Sequence, residues 1–145
     1  MREQHIAELT WQAEGEFSHL AYNKQHQALM SGHVLPMAAA DDESCADPEQ
    51  ALTAALASCH MLTFLALAAK KRLVVASYQD KAVGLLAQRE DGKFWMPQIT
   101  LRPKVVFAGE KIPDAQEIHA MHEKAHQHCF IANSIQSAVV VEPQI

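Results

Sequence analysis

The sequence predicts an α+β fold, and three observations carry that expectation. Residues 51–69 form an almost unbroken apolar run with no formal charge, opened by Asp47-Pro48-Glu49-Gln50 and closed by Lys70, Lys71 and Arg72. Ile99, Leu101, Pro103, Val105 and Phe107 share one parity, the period of a strand with one buried face. The elements follow one another as strands, long helix, strands, helix, strand. With 145 residues the chain is long enough for a real core, and a single domain over residues 1–145 is the simplest organisation.

Residues 5–12 and 25–33 read as short strands with a turn near 21–24. Residues 35–46, small, polar and acidic after Pro36, read as a loop. In Asp47-Pro48-Glu49-Gln50, Asp is a good N-cap, Pro suits the first helical position and Gln50 fits the last place of a capping box. The helix is expected to run to about Arg72, where the basic cluster complements the negative end of the helix dipole. Residues 73–88 and 94–107 are β-rich, and Glu90-Asp91-Gly92-Lys93 between them signals a hairpin. Pro103 lacks a backbone N–H and marks its strand as an edge or as bulged. Pro113-Asp114 opens a second helix over 115–128, and a turn near 129–133 leads to a last strand over 135–141.

The formal charge of −5 and the lack of a basic arm argue against nucleic acid as a partner. The opening MREQHIAELTWQ has no apolar core of a secretory signal, so a cytoplasmic location is expected. Three cysteines do not read as a secreted disulfide framework, and in a reducing cytoplasm a disulfide is more often catalytic or transient. The run over 51–69 with its basic flank also fits a membrane span. Its alanine content, Thr53, Ser58, His60 and Thr63 fit a central helix buried on all sides better, so no membrane partner is expected.

Cys59 lies in that run, among Leu52, Ala55, Leu56, Leu62 and Thr63 at helical spacing. A buried free thiol is usually inert packing, and a reactive one needs a cation or dipole that mid-helix does not supply. Cys129 ends a His-rich segment and reads as a helix-terminal packing residue or as a second thiol able to resolve an oxidised Cys59. Cys45, beside Asp41-Asp42-Glu43, reads as incidental. His122-Glu123-Lys124-Ala125-His126 matches the H-E-x-x-H pattern of zinc proteases, and His119, His122 and His126 form a candidate metal face. With nine histidines in the chain and no clear third protease ligand, a solvated helix face is the plainer reading, and no metal is expected. Glu49 reads locally as a first-turn acid favoured by the dipole. It precedes Cys59 by ten residues, about 15 Å along a helix, so the two meet only through a chain fold-back or a second subunit.

Two blocks then resemble the OsmC/Ohr family, osmotically inducible protein C and organic hydroperoxide resistance protein. They are Asp47-Pro48-Glu49-Gln50 followed by Ala54-Ala55-Leu56-Ala57-Ser58-Cys59-His60-Met61-Leu62-Thr63-Phe64-Leu65, and His128-Cys129-Phe130-Ile131-Ala132-Asn133-Ser134. The Cys-His-Met-Leu-Thr-Phe version looks like the OsmC-like subgroup. The resemblance implies an OsmC-like fold with antiparallel sheets around a long buried central helix, in an interlocked homodimer with active sites at the subunit interface. It implies thiol-dependent reduction of organic hydroperoxides, with Cys59 as peroxidatic and Cys129 as resolving thiol, no bound cofactor, and a dithiol reductant of the lipoyl type. Leu56, Met61, Phe64 and Phe130 are candidate apolar walls for the peroxide.

The family pairs the acidic residue with an Arg from the N-terminal sheet. Here no Arg occurs between Arg2 and Arg72, and Tyr22-Asn23-Lys24-Gln25-His26 stands where the subgroup often has Tyr-x-Arg-x-His. The resemblance therefore makes Cys59, Cys129, Glu49 and Lys24 the catalytic set. Lys24 brings the charge without the planar fork that holds a thiolate and a carboxylate together. The alternative is a non-catalytic OsmC-like stress or small-molecule-binding protein whose cysteines are structural or redox-sensing.

Overall fold

The first long helix starts at a reciprocal cap. The Asp47 N–H donates to Gln50 Oε1 at 3.0 Å, and the Gln50 N–H donates to Asp47 Oδ1 at 2.8 Å. From there α1 runs Pro48–Lys70 without interruption. It ends in a Schellman turn: Arg72 takes a φ of 60°, its N–H donates to the Ala69 carbonyl, and the Leu73 N–H reaches back to Ala68. In this computed structural model, which describes all 145 residues, the chain forms two compact units, Met1–Ala51 and Leu52–Ile145.

In the first unit, β1 (Glu8–Thr10), β2 (His26–Met30) and β3 (His33–Met37) make an antiparallel sheet in that order. Ser31 and Gly32, at φ 50° and 79°, form the tight turn between β2 and β3. The expected loop over 35–46 is corrected here: Leu35, Pro36 and Met37 belong to an edge strand, which tolerates Pro36. Ala28, Met37 and Ala38 are its buried apolar residues.

In the second unit, β4 (Val74–Asp80) pairs antiparallel with β9 (Pro103–Ala108), with a register shift between Val75 and Ser77. β5 (Val83–Gly84), β8 (Gln98–Leu101) and β10 (Ala138–Val141) form a second sheet with β8 central. β10 runs parallel to β8, which corrects the expectation of purely antiparallel sheets. β6 (Ala87–Gln88) and β7 (Phe94–Trp95) are the expected hairpin. The strand expected over 94–107 is three strands in three sheets. Ile99, Leu101 and Pro103 are fully buried as the parity predicts, but Thr100 is buried as well, which corrects the expectation of one buried face in the central strand β8. α2 (Ala115–His128) is capped by Asp114, which accepts the Glu117 N–H at 2.8 Å, and a 3-10 turn Ala132–Ser134 leads to β10.

The long helix is not buried on all sides within one chain. Only Leu56, His60, Phe64 and Ala68 are buried, one stripe at i, i+4 spacing, while Ala54, Ala55, Leu62 and Ala66 are exposed. By length and composition α1 could cross a membrane, but its stripe packs into two apolar clusters of its own unit. The first gathers Leu56, Met96, Ile99, Leu101 and Cys129, and the second gathers Phe64, Ala68, Leu73, Met121 and Ala125.

Candidate active site

Cys59 is half-buried on α1 and packs against the first cluster. Cys129, one residue past α2, is fully buried within it. Its backbone N–H donates to the His126 carbonyl at 3.4 Å, and its sulfur accepts the Ala132 N–H at 3.4 Å. Cys59 packs against the cluster that holds the Cys129 sulfur, and both thiols are free. The fold thus brings Cys59 and Cys129 together. Burial first, and the neighbouring Cys59 second, push the Cys129 thiol up to about 11. Cys129 therefore keeps its proton at neutral pH.

Glu49 is half-buried in the first turn of α1, where a carboxylate offsets the unpaired N–H groups of the helix start. Lys24 is exposed and paired with a partner absent from the expected set: its Nζ lies 3.1 Å from Asp41 Oδ2. The hydrogen bond and charge of Asp41 raise its pKa. Lys24 also sits 5.9 Å from the Tyr22 ring centre, at the edge of an open hollow of about 590 Å³. Trp11, Phe17 and Tyr22 wall that hollow, with ring centres 5.7 and 5.5 Å apart in sequence. His26 Nδ1 lies 2.8 Å from the Lys24 carbonyl, which can only accept, so the proton sits on Nδ1 and Nε2 is left as an acceptor.

The apolar walls expected for the peroxide need correction. Leu56 and Phe64 are at 0% exposure, sealed in the two clusters, and Phe130 is an outward-facing ring at 66%. Of the four, only Met61 is half-buried, and two residues after Cys59 it lies on a different side of the helix.

The histidine face is also corrected. His122 points into the core rather than to solvent, and its Nδ1 lies 3.0 Å from His60 Nε2. The two rings are within 5° of parallel, and His122 stacks on Phe64 at 4.2 Å. Burial, with His126 as the second cause, holds His60 down at about 4. Burial, then His60 and His119, hold His122 down at about 3. The pair is therefore neutral at physiological pH, one ring donating and the other accepting. No three His, Cys, Asp or Glu side chains are arranged to hold a metal ion. The expectation of a solvated helix face missed this pair. The signal for it was there: Ile118, Met121, His122 and Ala125 lie on one side of an amphipathic helix.

The sequence model described as OsmC-like protein matches residues 41–144. An OsmC-like protein of unknown function from Vibrio cholerae has a solved structure 39% identical to this chain, covering 99% of it and 100% of its own length, with a TM-score of 0.93. An OsmC-like protein from Mycoplasma pneumoniae is 16% identical with a TM-score of 0.77, over 99% of this chain and 98% of that one. The organic hydroperoxide resistance protein OhrB of Bacillus subtilis is 17% identical with a TM-score of 0.70, over 96% of this chain and 98% of that one. No curated protein matches the sequence.

Proposed function

The chain belongs to the OsmC-like family, and on that premise we propose that it is a cysteine-based peroxidase acting on organic hydroperoxides. The observation that carries this reading is a pair of free thiols packed in one apolar cluster, one half-buried and one sealed. Cys59 is the thiol a substrate can reach, and Cys129 is the thiol that waits protonated behind it. The Cys59 thiolate attacks the outer peroxide oxygen. An S–O bond forms, the O–O bond breaks, and the alkoxide leaves and takes a proton as alcohol. Sulfur is oxidised to the sulfenic acid and the peroxide is reduced. The Cys129 thiol then displaces water from that sulfenic acid to form the disulfide. A dithiol of the lipoyl type returns both cysteines to thiols and becomes a disulfide itself.

In this reading a second copy of the chain covers the exposed apolar side of α1, around Ala55, Leu62 and Ala66. The activating charge for Cys59 comes from Lys24, with Glu49 as its acidic partner. The protein works in the cytoplasm, where its thiols are kept reduced. The hollow walled by Trp11, Phe17 and Tyr22 favours a second reading, a binder of small apolar molecules, since its volume is that of a ligand site.

Consumption of cumene hydroperoxide coupled to oxidation of dihydrolipoamide tests the proposal. Wild type turns over, Cys59→Ser loses at least about 100-fold, and Cys129→Ser forms a dimedone-trappable sulfenic acid on Cys59. Equal turnover by wild type and Cys59→Ser removes the peroxidase reading and leaves the binder.

A further inference from the structure

We infer that the His60–His122 hydrogen bond is a clasp that positions α1 against α2 so that Cys59 and Cys129 meet. The inference rests on the dithiol reading above. His60 follows Cys59 on α1, and His122 lies seven residues, about two helical turns, before Cys129. The clasp therefore joins the two helices within reach of both thiols. It sits at a seam in the core: Leu56, one turn before His60, belongs to the cluster around Cys129, and Phe64, one turn after, belongs to the other.

Packing alone does not account for these two residues. Each ring leaves a buried nitrogen without a partner, Nδ1 of His60 and Nε2 of His122. A leucine or phenylalanine would fill either place without that desolvation penalty. What an apolar pair cannot supply is direction. Apolar contact tolerates rotation and sliding, whereas an N–H···N bond of 3.0 Å between near-parallel rings fixes both. The stack on Phe64 holds the His122 ring in place.

The clasp is one proton held between two ring nitrogens. A single added proton goes to the free nitrogen of the donor ring and leaves the bond in place, whereas a proton added to each ring sets N–H against N–H and opens it. The groups facing the pair offer little to stabilise that charge. From α2 they are His119 and His126; from β4 they are Tyr78, 6.4 Å from His122 between ring centres, and beyond it Asp80. The Phe64 ring is packed by Tyr78 and by Phe107 of β9. Asp80 is partly committed to the Arg102 N–H at 2.7 Å, and burial raises its pKa.

The test closes the disulfide without any peroxide. In the reduced protein, diamide takes two electrons and two protons as the Cys59–Cys129 bond forms, and peptide mapping after alkylation reads the rate. An apolar pair, His60→Leu with His122→Phe, is expected to slow closure at least about tenfold, because small misplacements of reacting groups cost that much or more. An amide pair, His60→Gln with His122→Asn, places amides where Nε2 and Nδ1 stood and is expected to stay within about threefold of wild type. Wild-type closure by the apolar pair overturns the clasp, as does an amide pair no faster than the apolar one.

Should the apolar pair fail to fold, the wild type still decides. The coupling between ring nitrogens across the hydrogen bond, read by NMR, is expected to vanish on acidification together with closure; closure that persists after the coupling is gone overturns the clasp. Diamide closure with no peroxide turnover removes only the peroxidase reading. No diamide closure in wild type removes the dithiol reading and the clasp with it.

Discussion

Cys59 and His60 are neighbours in sequence, yet they look into different halves of the same core. Cys59 packs beside a cluster whose members include a second thiol, and it remains half open to solvent. His60 is sealed beside Phe64, Tyr78 and His122, in a set of rings that substrate does not reach. One 100° step around the helix separates chemistry from its support. The open half carries the reactive group, and the sealed half carries the rigidity and the unpaired polar atoms that rigidity leaves behind.

The largest effects should come from the sealed half. Phe64→Ala removes a fully buried ring that touches Tyr78, Phe107 and His122, and is expected to cost about 3–5 kcal/mol in urea unfolding. On the Cys59 side of the core, Gly84→Ala should follow at about 1–3 kcal/mol, because a Cβ there would run into Thr53 of α1 and into Met96. By contrast Cys59→Ser, on the open half, should leave the unfolding midpoint nearly unchanged while abolishing turnover. A large stability loss for Cys59→Ser would erase the distinction between the two halves.

Acid should act on the sealed half alone. Free histidine titrates near 6.5, and the folded rings titrate at about 4 and about 3. Between 6.5 and those values the unfolded chain binds more protons than the folded one. The rings' contribution is therefore complete above pH 6.5 and is lost as pH falls through that window, by at most about 1.4 kcal/mol per pH unit for each ring. Urea midpoints of wild type and of the apolar pair, measured from pH 7 to 4, should diverge in slope by this cause. Parallel slopes would mean the rings are already open to water.

Removing the Asp47 cap should cost about 1 kcal/mol by Asp47→Ala, a local effect at the start of α1. Lys24→Gln should change the melting temperature least of all, since its ion pair with Asp41 is exposed. In the proposed role the same variant lowers peroxide turnover, so an unchanged rate takes Lys24 out of the catalytic set.

Local chemistry was legible where one residue type suits one geometry. Asp47-Pro48-Glu49-Gln50 and Pro113-Asp114 placed both helix starts, and the 115–128 bounds agree with α2. The hairpin at 90–93 followed from its turn residues. Strand partners were not legible: the parity of 99–107 named residues of the buried face, but neither that Thr100 is buried opposite them nor that Arg102 divides two sheets, because parity records one face and not neighbours. The thiol pair came from family resemblance alone, since nothing local at Cys59 or Cys129 distinguishes a pair 70 positions apart from two packing residues. The histidine clasp was missed because His119, His122 and His126 read together as one solvated face, although His122 lies on the apolar stripe of α2.

The pairing of β10 with β8 makes one short strand answer for the cover of a thiol. Val139 and Val141 pack against the cluster that holds Cys129, and β10 is one of the two neighbours of β8. Peeling β10 away would therefore strip one side of β8 and part of the cover over Cys129 in the same step, so the seal on the buried thiol is only as firm as that strand.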